Sequence, residues 1–396
     1  MHDVERTMGT FAVRGRILLG SELTPGAVVV EGGRIVGVAR DAHDGNLPAP
    51  ILDAAIVAPG WIDLQVNGGF GVEVGDDAAA IRHLSACLPR TGVTGFLPTV
   101  VTAPTAFYPR AYAAFEQAGR DARDTPVAGA RALGLHLEGP FLSPDRKGAH
   151  RKDLIEAADP RILEDLSPGD SVRLVTLAPE RAGALERIRL LRRRGIVVSL
   201  GHSDASFDAF ERGVDAGATM ATHLYNAMSP FGHRAPGVIG AALVDDRLVV
   251  GLIADGVHSH AASVALAVRA KGAERIALIT DMISAAGIGP GEYRLGGQAV
   301  TVDGLSARLA DGTLAGAIIT MDQAVRNAVA WGRATPGEAL RMASATPAGV
   351  LGLDRVGQLS VGRDADLVLL DDALQVEATI IAGRIVYQRN SGVTPL

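Results

Sequence analysis

The stretch that decides the fold runs Leu185-Glu186-Arg187-Ile188-Arg189-Leu190-Leu191-Arg192-Arg193-Arg194-Gly195-Ile196-Val197-Val198-Ser199-Leu200-Gly201-His202. Leu185–Arg194 carries helical apolar spacing and ends in a basic run, where cations suit the dipole of a solvated helix end. After Gly195 the pattern changes to Ile196–Leu200, a short run of the kind that forms a buried strand. The strand then delivers a polar residue, His202, at its carboxyl end.

Working outward, the same alternation extends from Pro59 to about Leu353. The predicted strands are Trp61–Val66, Thr94–Val100, Ala132–Leu137, Val172–Leu177, Ile196–Leu200, Ala218–Thr222, Val249–Ala254 and Ile276–Thr280. Helical segments such as His260–Lys271 fall between them. Strand–helix alternation of this length predicts an α/β fold, a (β/α)8 TIM-type barrel. A doubly wound open sheet is the rival, but no Gly-x-Gly-x-x-Gly follows an early strand.

The two ends of the chain read differently. Residues 26–38 hold two β-branched runs joined at Glu31-Gly32-Gly33, a hairpin signal. Asp366–Leu370 is another apolar run, and Leu374–Tyr387 holds a strand pair around Ala382-Gly383-Arg384. Both ends are therefore expected to pair into one small β-sandwich domain. The expected units are 1–58 and 355–396 for that domain and 59–354 for the barrel.

At 396 residues, with 47% apolar and 21% charged residues, the chain has the make-up of a soluble globular enzyme. The formal net charge of −6 argues against a protein that grips a nucleic-acid backbone. A small anionic ligand remains compatible, because local basic groups can bind phosphate inside an acidic protein. Cys87 is the one cysteine, so no internal disulfide forms and a reducing compartment is expected. Met1–Thr10 carries acids where a secretory leader needs a basic start, and no apolar run is long enough to span a bilayer. A cytoplasmic protein without a membrane partner is the expectation.

Barrel enzymes assemble their active sites at the carboxyl ends of the strands. Those ends carry Glu138 after the third strand, His202 after the fifth, His223 after the sixth and Asp281 after the eighth, with His258 following the seventh. A lone histidine is more often a packed or surface residue than a ligand, and a lone strand-end Asp is often a helix cap. Their meeting at one face is what makes a site. One Glu and two His leave a coordination position open for water, the arrangement of catalytic zinc, and that water's pKa falls towards about 7. Asp281 is then placed to take the water's proton and deliver it to a leaving amine, which suits hydrolysis of an amide.

The chain resembles the amidohydrolase superfamily and, within it, the N-acetylglucosamine-6-phosphate deacetylases. The resemblance is carried by residues 59–68 (Pro-Gly-Trp-Ile-Asp-Leu-Gln-Val-Asn-Gly), Thr91-Gly92-Val93-Thr94 with Pro98-Thr99, and residues 134–141 (Gly-Leu-His-Leu-Glu-Gly-Pro-Phe). It continues through Lys147-Gly148-Ala149-His150, Gly201-His202-Ser203, residues 222–228 (Thr-His-Leu-Tyr-Asn-Ala-Met), residues 253–258 (Ile-Ala-Asp-Gly-Val-His) and Thr280-Asp281. The resemblance implies a homodimeric hydrolase that removes the acetyl group from the phosphorylated amino sugar.

Many amidohydrolases have His-x-His after the first strand, supplying a second metal site; here that place is Gln65-Val66-Asn67. Neutral amides are weak ligands for zinc, so one divalent ion per subunit is expected, zinc held by Glu138, His202 and His223. The resemblance further implies that His150 polarises the acetyl carbonyl beside Ala149. It implies that Asn226, Ala227 and His258 contact the sugar phosphate and that Leu314-Ala315-Gly316 touches the substrate. Arg234, on the Gly/Pro-rich loop Phe231–Gly237, is implied to reach the phosphate of the neighbouring subunit; no other arginine stands out at the strand ends. His136 is one layer below Glu138 by strand alternation and reads as either a packed core residue or a partner behind the site, packing being slightly favoured. His2, His43, His83, His233 and His260 receive no role. The rival substrates are N-acetylgalactosamine 6-phosphate or an N-acyl amino acid. A deaminating or ring-opening relative would want the missing His-x-His. A non-catalytic relative should have lost one of Glu138, His202, His223 or Asp281.

Overall fold

The computed structural model describes residues 9–41, 46–124, 129–164 and 171–389; His2, His43 and most of the stretch read for a leader lie outside them. The opening stretch folds as its pattern requires. Helix Ala184–Arg193 buries Ala184, Ile188 and Leu191 on one face, with Glu186 in its first turn and Arg192 and Arg193 in its last. This matches both the helical period and the dipole. Gly195, at φ +76°, then turns the chain into the wholly buried strand Val197–Leu200.

Eight parallel strands follow one another in chain order around the barrel: Trp61–Val66, Val93–Val101, Leu135–Glu138, Val172–Leu177, Val197–Leu200, Met220–Ala221, Val249–Leu252 and Ile276–Leu278. The third differs from expectation. Its ladder is broken at Leu133–Gly134, leaving a two-residue strand, Arg131–Ala132, on the second strand before the ladder to the fourth resumes. Gly134 sits at φ +136°, and a Cβ there would meet Arg173 Cγ at 2.1 Å, so only glycine allows the break.

Closure between the eighth and first strands relies on a side chain rather than a regular ladder. The Asp63 carboxylate, fully buried, accepts from Thr280 N at 3.2 Å, Thr280 Oγ1 at 2.6 Å and Gln65 N at 3.2 Å. Burial pushes this carboxyl up to about 7 against those hydrogen bonds. Asp281 N donates to Gln65 O and Asn67 N to Met282 O, bringing the two strand ends into register.

Both chain ends build the small domain. Its seven strands run Arg384–Gln388, Val376–Ile381, Leu367–Leu370, Ile51–Pro59, Phe11–Leu19, Glu22–Glu31 and Arg34–Arg40. N- and C-terminal halves join where Leu367–Leu370 pairs antiparallel with Ile51–Pro59. The sheet curls so that both halves share one core, which includes Phe11, Val28, Ile35, Leu367 and Ile380. The hairpins turn at Gly32-Gly33 and Ala382-Gly383, all four with positive φ, as tight two-residue turns demand. A Cβ on Gly33 would lie 2.8 Å from Ala382 O, so the two turns pack backbone to backbone. Buried Asp366 pairs with Arg131 and ties this sheet to the barrel.

A three-stranded excursion, Gly291–Leu295, Gln298–Val302 and Ala307–Arg308, follows the eighth barrel strand. No strand was expected there from the sequence. The excursion has its own core of Ile283, Leu295, Val300, Val302, Ala307 and Ala315 and reaches over the barrel mouth.

Candidate active site

Three of the expected strand-end residues arrive at the mouth through a local backbone feature. His202, His223 and Asp281 follow their strands at φ +45°, +28° and +53°. Left-handed backbone is uncommon for residues with a Cβ and costs about 1–3 kcal/mol each, so surrounding structure must hold it. The effect is to bend the chain at the strand end and aim the side chain at the barrel axis. The loops above are laced together: Ser203 N donates to Ala227 O, and Ser229 N to Ser203 O.

Glu138, His202 and His223 converge in a cleft of about 350 Å³. Glu138 Oε1 lies 3.3 Å from His202 Nε2 and 3.0 Å from His223 Nε2, and the two nitrogens are 3.0 Å apart. His202 Nδ1 faces Arg146 O at 2.9 Å, so that nitrogen is the donor and Nε2 presents a lone pair. Three acceptor atoms at one point repel unless a cation or proton lies between them. Ligand atoms around a tetrahedral ion with bonds of about 2.0–2.1 Å stand roughly 3.3 Å apart, close to the spacing here. The donor set therefore fits a divalent cation. His223 Nδ1 is buried and without a hydrogen-bond partner. Burial pushes the Glu138 carboxyl up, but the facing His150, His202 and His223 rings outweigh it and hold it well below the usual carboxylate range. Burial and the neighbouring His150 charge lower His202 to about 4.

Asp281 stands on the opposite side of the mouth. Gln65 Nε2 donates to Glu138 Oε1 at 2.8 Å and to Asp281 Oδ1 at 2.9 Å, and Asn67 Nδ2 donates to Asp281 Oδ1 at 2.6 Å. The amide pair is thus more than strand-end polarity: it supplies N–H donors to both carboxylates. Both amide contacts fall on Oδ1. Burial and the Glu138 charge push the Asp281 carboxyl up to about 6, with the His223 and His258 charges and the Asn67 bond pulling the other way. Sequence reading assigned no partner to either amide, because their acceptors lie on strands far along the chain.

His150 sits 3.6 Å from Glu138 Oε2 through Nε2. Its Nδ1 lies 2.9 Å from Thr102 Oγ1 and 3.3 Å from Thr102 N, and the backbone donor suits the tautomer with the proton on Nε2, towards the cleft. His258 lines the cleft with its Nδ1 on Asp255 Oδ2 at 2.6 Å. Ala149, Asn226, Ala227, Leu314 and Gly316 line it as well. Ala315 differs: its side chain is fully buried in the core of the excursion. Gly316, at φ +65°, has Asp281 O 2.9 Å from a would-be Cβ, which makes it glycine-only. His136 packs one layer down, bonded to Leu64 O and Thr176 Oγ1, and burial lowers it to about 4.

Arg234 lies apart. It is exposed, contacts the His233 ring at 2.7 Å and borders a separate depression with Phe231, which is 61% exposed. The expectation that no other arginine stands near the strand ends needs correction, since Arg146 and Arg151 line the cleft. Both follow the third strand on a loop that folds back over the mouth, where Arg146 pairs with Asp204 and Arg151 with Asp153. Among the residues given no role, His260 caps helix Ala261–Lys271 by accepting from Ala262 N.

The amidohydrolase family profile matches residues 56–386. The chain is 41% identical to human N-acetylglucosamine-6-phosphate deacetylase over 402 aligned residues, covering 95% of each chain. It is 42% identical to an Escherichia coli O157:H7 N-acetylgalactosamine-6-phosphate deacetylase, over 84% of this chain and 88% of that protein. Among solved structures it superposes at a TM-score of 0.89 and 35% identity on an aspartate-to-alanine mutant of the Mycobacterium smegmatis N-acetyl-D-glucosamine-6-phosphate deacetylase in complex with N-acetyl-D-glucosamine-6-phosphate. That match covers 96% of this chain and all of the other. No helix among the described residues is long and apolar enough to cross a membrane. With its barrel, its Glu/His/His cluster and these relatives taken together, the chain belongs to the amidohydrolase family, in its N-acetylglucosamine-6-phosphate deacetylase branch.

Proposed function

We propose that this chain hydrolyses the acetamide of N-acetyl-D-glucosamine 6-phosphate to glucosamine 6-phosphate and acetate. The observation that carries this reading is the convergence of Glu138, His202 and His223 in one cleft with Asp281. In this reading Glu138, His202 and His223 hold one divalent cation, zinc by the chemistry of the donors. Bound there, the cation supplies Lewis acidity that polarises the acetyl carbonyl and acidifies water. Asp281, ionised and held through Oδ1, accepts the water's proton on Oδ2 and returns it to the departing nitrogen, which leaves as an amine rather than an amide anion. His150 donates its Nε2 proton towards the acetyl oxygen. Asn226, Ala227 and His258 bind the sugar phosphate, and Ala149 with Leu314–Gly316 borders the sugar. Arg234, distant from its own cleft, is donated across a homodimer interface. A cytoplasmic setting and the unit boundaries 1–58, 59–354 and 355–396 complete the reading.

The relation to an N-acetylgalactosamine-6-phosphate deacetylase favours a second substrate, the galactose epimer. Acetate release from N-acetylglucosamine and N-acetylgalactosamine, each with and without the 6-phosphate, separates the readings. The expected order places N-acetylglucosamine 6-phosphate first; no acetate from any of the four sinks the reading. Losing a charge-assisted contact costs about 1.5–3 kcal/mol, so Arg234→Ala should raise KM for the phosphorylated sugar at least about tenfold. Mixing Arg234→Ala with Asp281→Asn chains should restore activity, because shared sites leave one intact site per mixed dimer. Verified mixed dimers without recovery would return Arg234 to its own subunit.

A further inference from the structure

Asp255 and His258 form a closed pair at the end of the seventh strand, with side chains only 10% and 7% exposed. One carboxylate oxygen, Oδ1, accepts from Val257 N at 2.8 Å and His258 N at 2.7 Å, fixing the loop as an Asx turn. The other, Oδ2, accepts from His258 Nδ1 at 2.6 Å. The loop is clamped from behind: Asn327 Nδ2 donates to Ala254 O at 2.8 Å, and Trp331 lies against Gly256. Neither oxygen of Asp255 is left for a ligand, so its role runs through the imidazole.

With Nδ1–H committed to Asp255, the remaining polar atom of the ring is Nε2, and His258 lines the cleft. A neutral ring would offer Nε2 only as an acceptor, which repels a phosphate oxygen. A ring carrying a proton on each nitrogen keeps Nδ1–H on the carboxylate and offers Nε2–H as a donor. The cleft already holds the carboxylates of Glu138 and Asp281, so an anionic substrate needs a positive counterweight there.

We infer that Asp255 is a positioning residue that holds the His258 ring by Nδ1 and presents its Nε2 as an N–H donor to the phosphate of the substrate. This rests on the reading of His258 as a phosphate contact. The sequence separation of three residues makes the pair a local device, complete within one loop of one subunit.

Asp255→Asn is the telling substitution. Asn retains the oxygen that caps the two backbone N–H groups and puts a neutral N–H donor in place of the charged acceptor behind the imidazole. Steady-state kinetics of the metal-replete full chain are compared for wild type, Asp255→Asn, His258→Gln and the double variant, on N-acetylglucosamine with and without the 6-phosphate. Asp255→Asn should raise KM for the phosphorylated sugar about tenfold, with kcat changed less than about threefold. The unphosphorylated sugar should respond less than about twofold, and the double variant should be no worse than His258→Gln alone. Asp255→Glu, which restores the charge, should recover part of the lost affinity and supplies the same comparison if the Asn protein does not fold. An equal KM increase on both sugars, or effects that multiply in the double variant, would make Asp255 a loop scaffold and overturn the inference. A selective defect in His258→Gln with none in Asp255→Asn removes the inference alone. If His258→Gln leaves both KM values unchanged, the phosphate reading of His258 falls and takes the inference with it.

Discussion

On the side of the mouth formed by the third, fifth and sixth strands, Glu138, His202 and His223 bring acceptor atoms to within 3.0–3.3 Å of one another. On the side formed by the first and eighth strands, Gln65 and Asn67 bring amide N–H groups onto Asp281 at 2.9 and 2.6 Å. The first side gathers a carboxylate oxygen and two imidazole nitrogens and fits a cation. The second already satisfies its carboxylate with neutral donors and needs none. The contrast explains how one barrel mouth can keep a cation on one wall and, on the other, a proton acceptor held by neutral amides. Gln65 joins the walls, since the same amide nitrogen reaches both Glu138 and Asp281.

The asymmetry is most exposed to metal removal. Stripping the protein with a chelator, or changing His223→Ala, should lower turnover by more than about a thousandfold, because the lost Lewis acid supplies several kcal/mol. Elemental analysis of the native protein should find about one divalent ion per chain. Two stoichiometric ions, or full turnover in verified metal-free protein, would break the comparison. Next in size comes Asp281→Asn, which should retain metal and lose about a hundred- to ten-thousandfold in kcat. A variant keeping a third of wild-type turnover would take Asp281 out of the chemistry.

Asn67→Ala probes the amide wall itself. Asp281 Oδ1 would keep the Gln65 donor and lose the shorter bond, worth about 1.5–3 kcal/mol, so kcat should fall roughly ten- to a hundredfold with metal content unchanged. Unchanged kinetics would reduce the amide pair to packing. The smallest effect is on pH dependence. Asp281 must be ionised to accept a proton, and its carboxyl, pushed up to about 6 by burial, takes a proton as pH falls. A cation on the facing wall pulls that value down. Turnover should therefore be half-maximal on its acid side at or below about pH 6 in a rate–pH profile. An acid limb centred above pH 7 would show that another group governs the step.

The barrel was legible because its strands are buried on both faces and read as short apolar runs, Trp61–Val66 and Val197–Leu200 among them. The strand-end residues were legible for the same reason, since a parallel barrel sends every carboxyl end to one face. The third strand's break was not, because it depends on Arg173 crowding Gly134 from the next strand. Nor was the excursion after Asp281, whose strands Gly291–Leu295 and Gln298–Val302 alternate polar and apolar residues around a small core of their own. Arg146 and Arg151 escaped notice because a loop folds them back over the mouth from beyond the strand end.

By itself the sequence determined the alternation of strands and helices, the hairpins at both ends and the identity of the residues at the barrel's active face. These follow from local periodicity and turn chemistry, which neighbouring residues settle among themselves. Only the tertiary structure decided that Gln65 and Asn67 donate to carboxylates, that Asp63 closes the barrel onto Thr280, and that Ala315 turns away from the cleft while Arg234 lies outside it. Gln65 lies 73 residues from Glu138 and 216 from Asp281, so those contacts exist only once the first and eighth strands meet. No local pattern encodes which buried donor finds which acceptor; barrel closure places them within hydrogen-bonding reach.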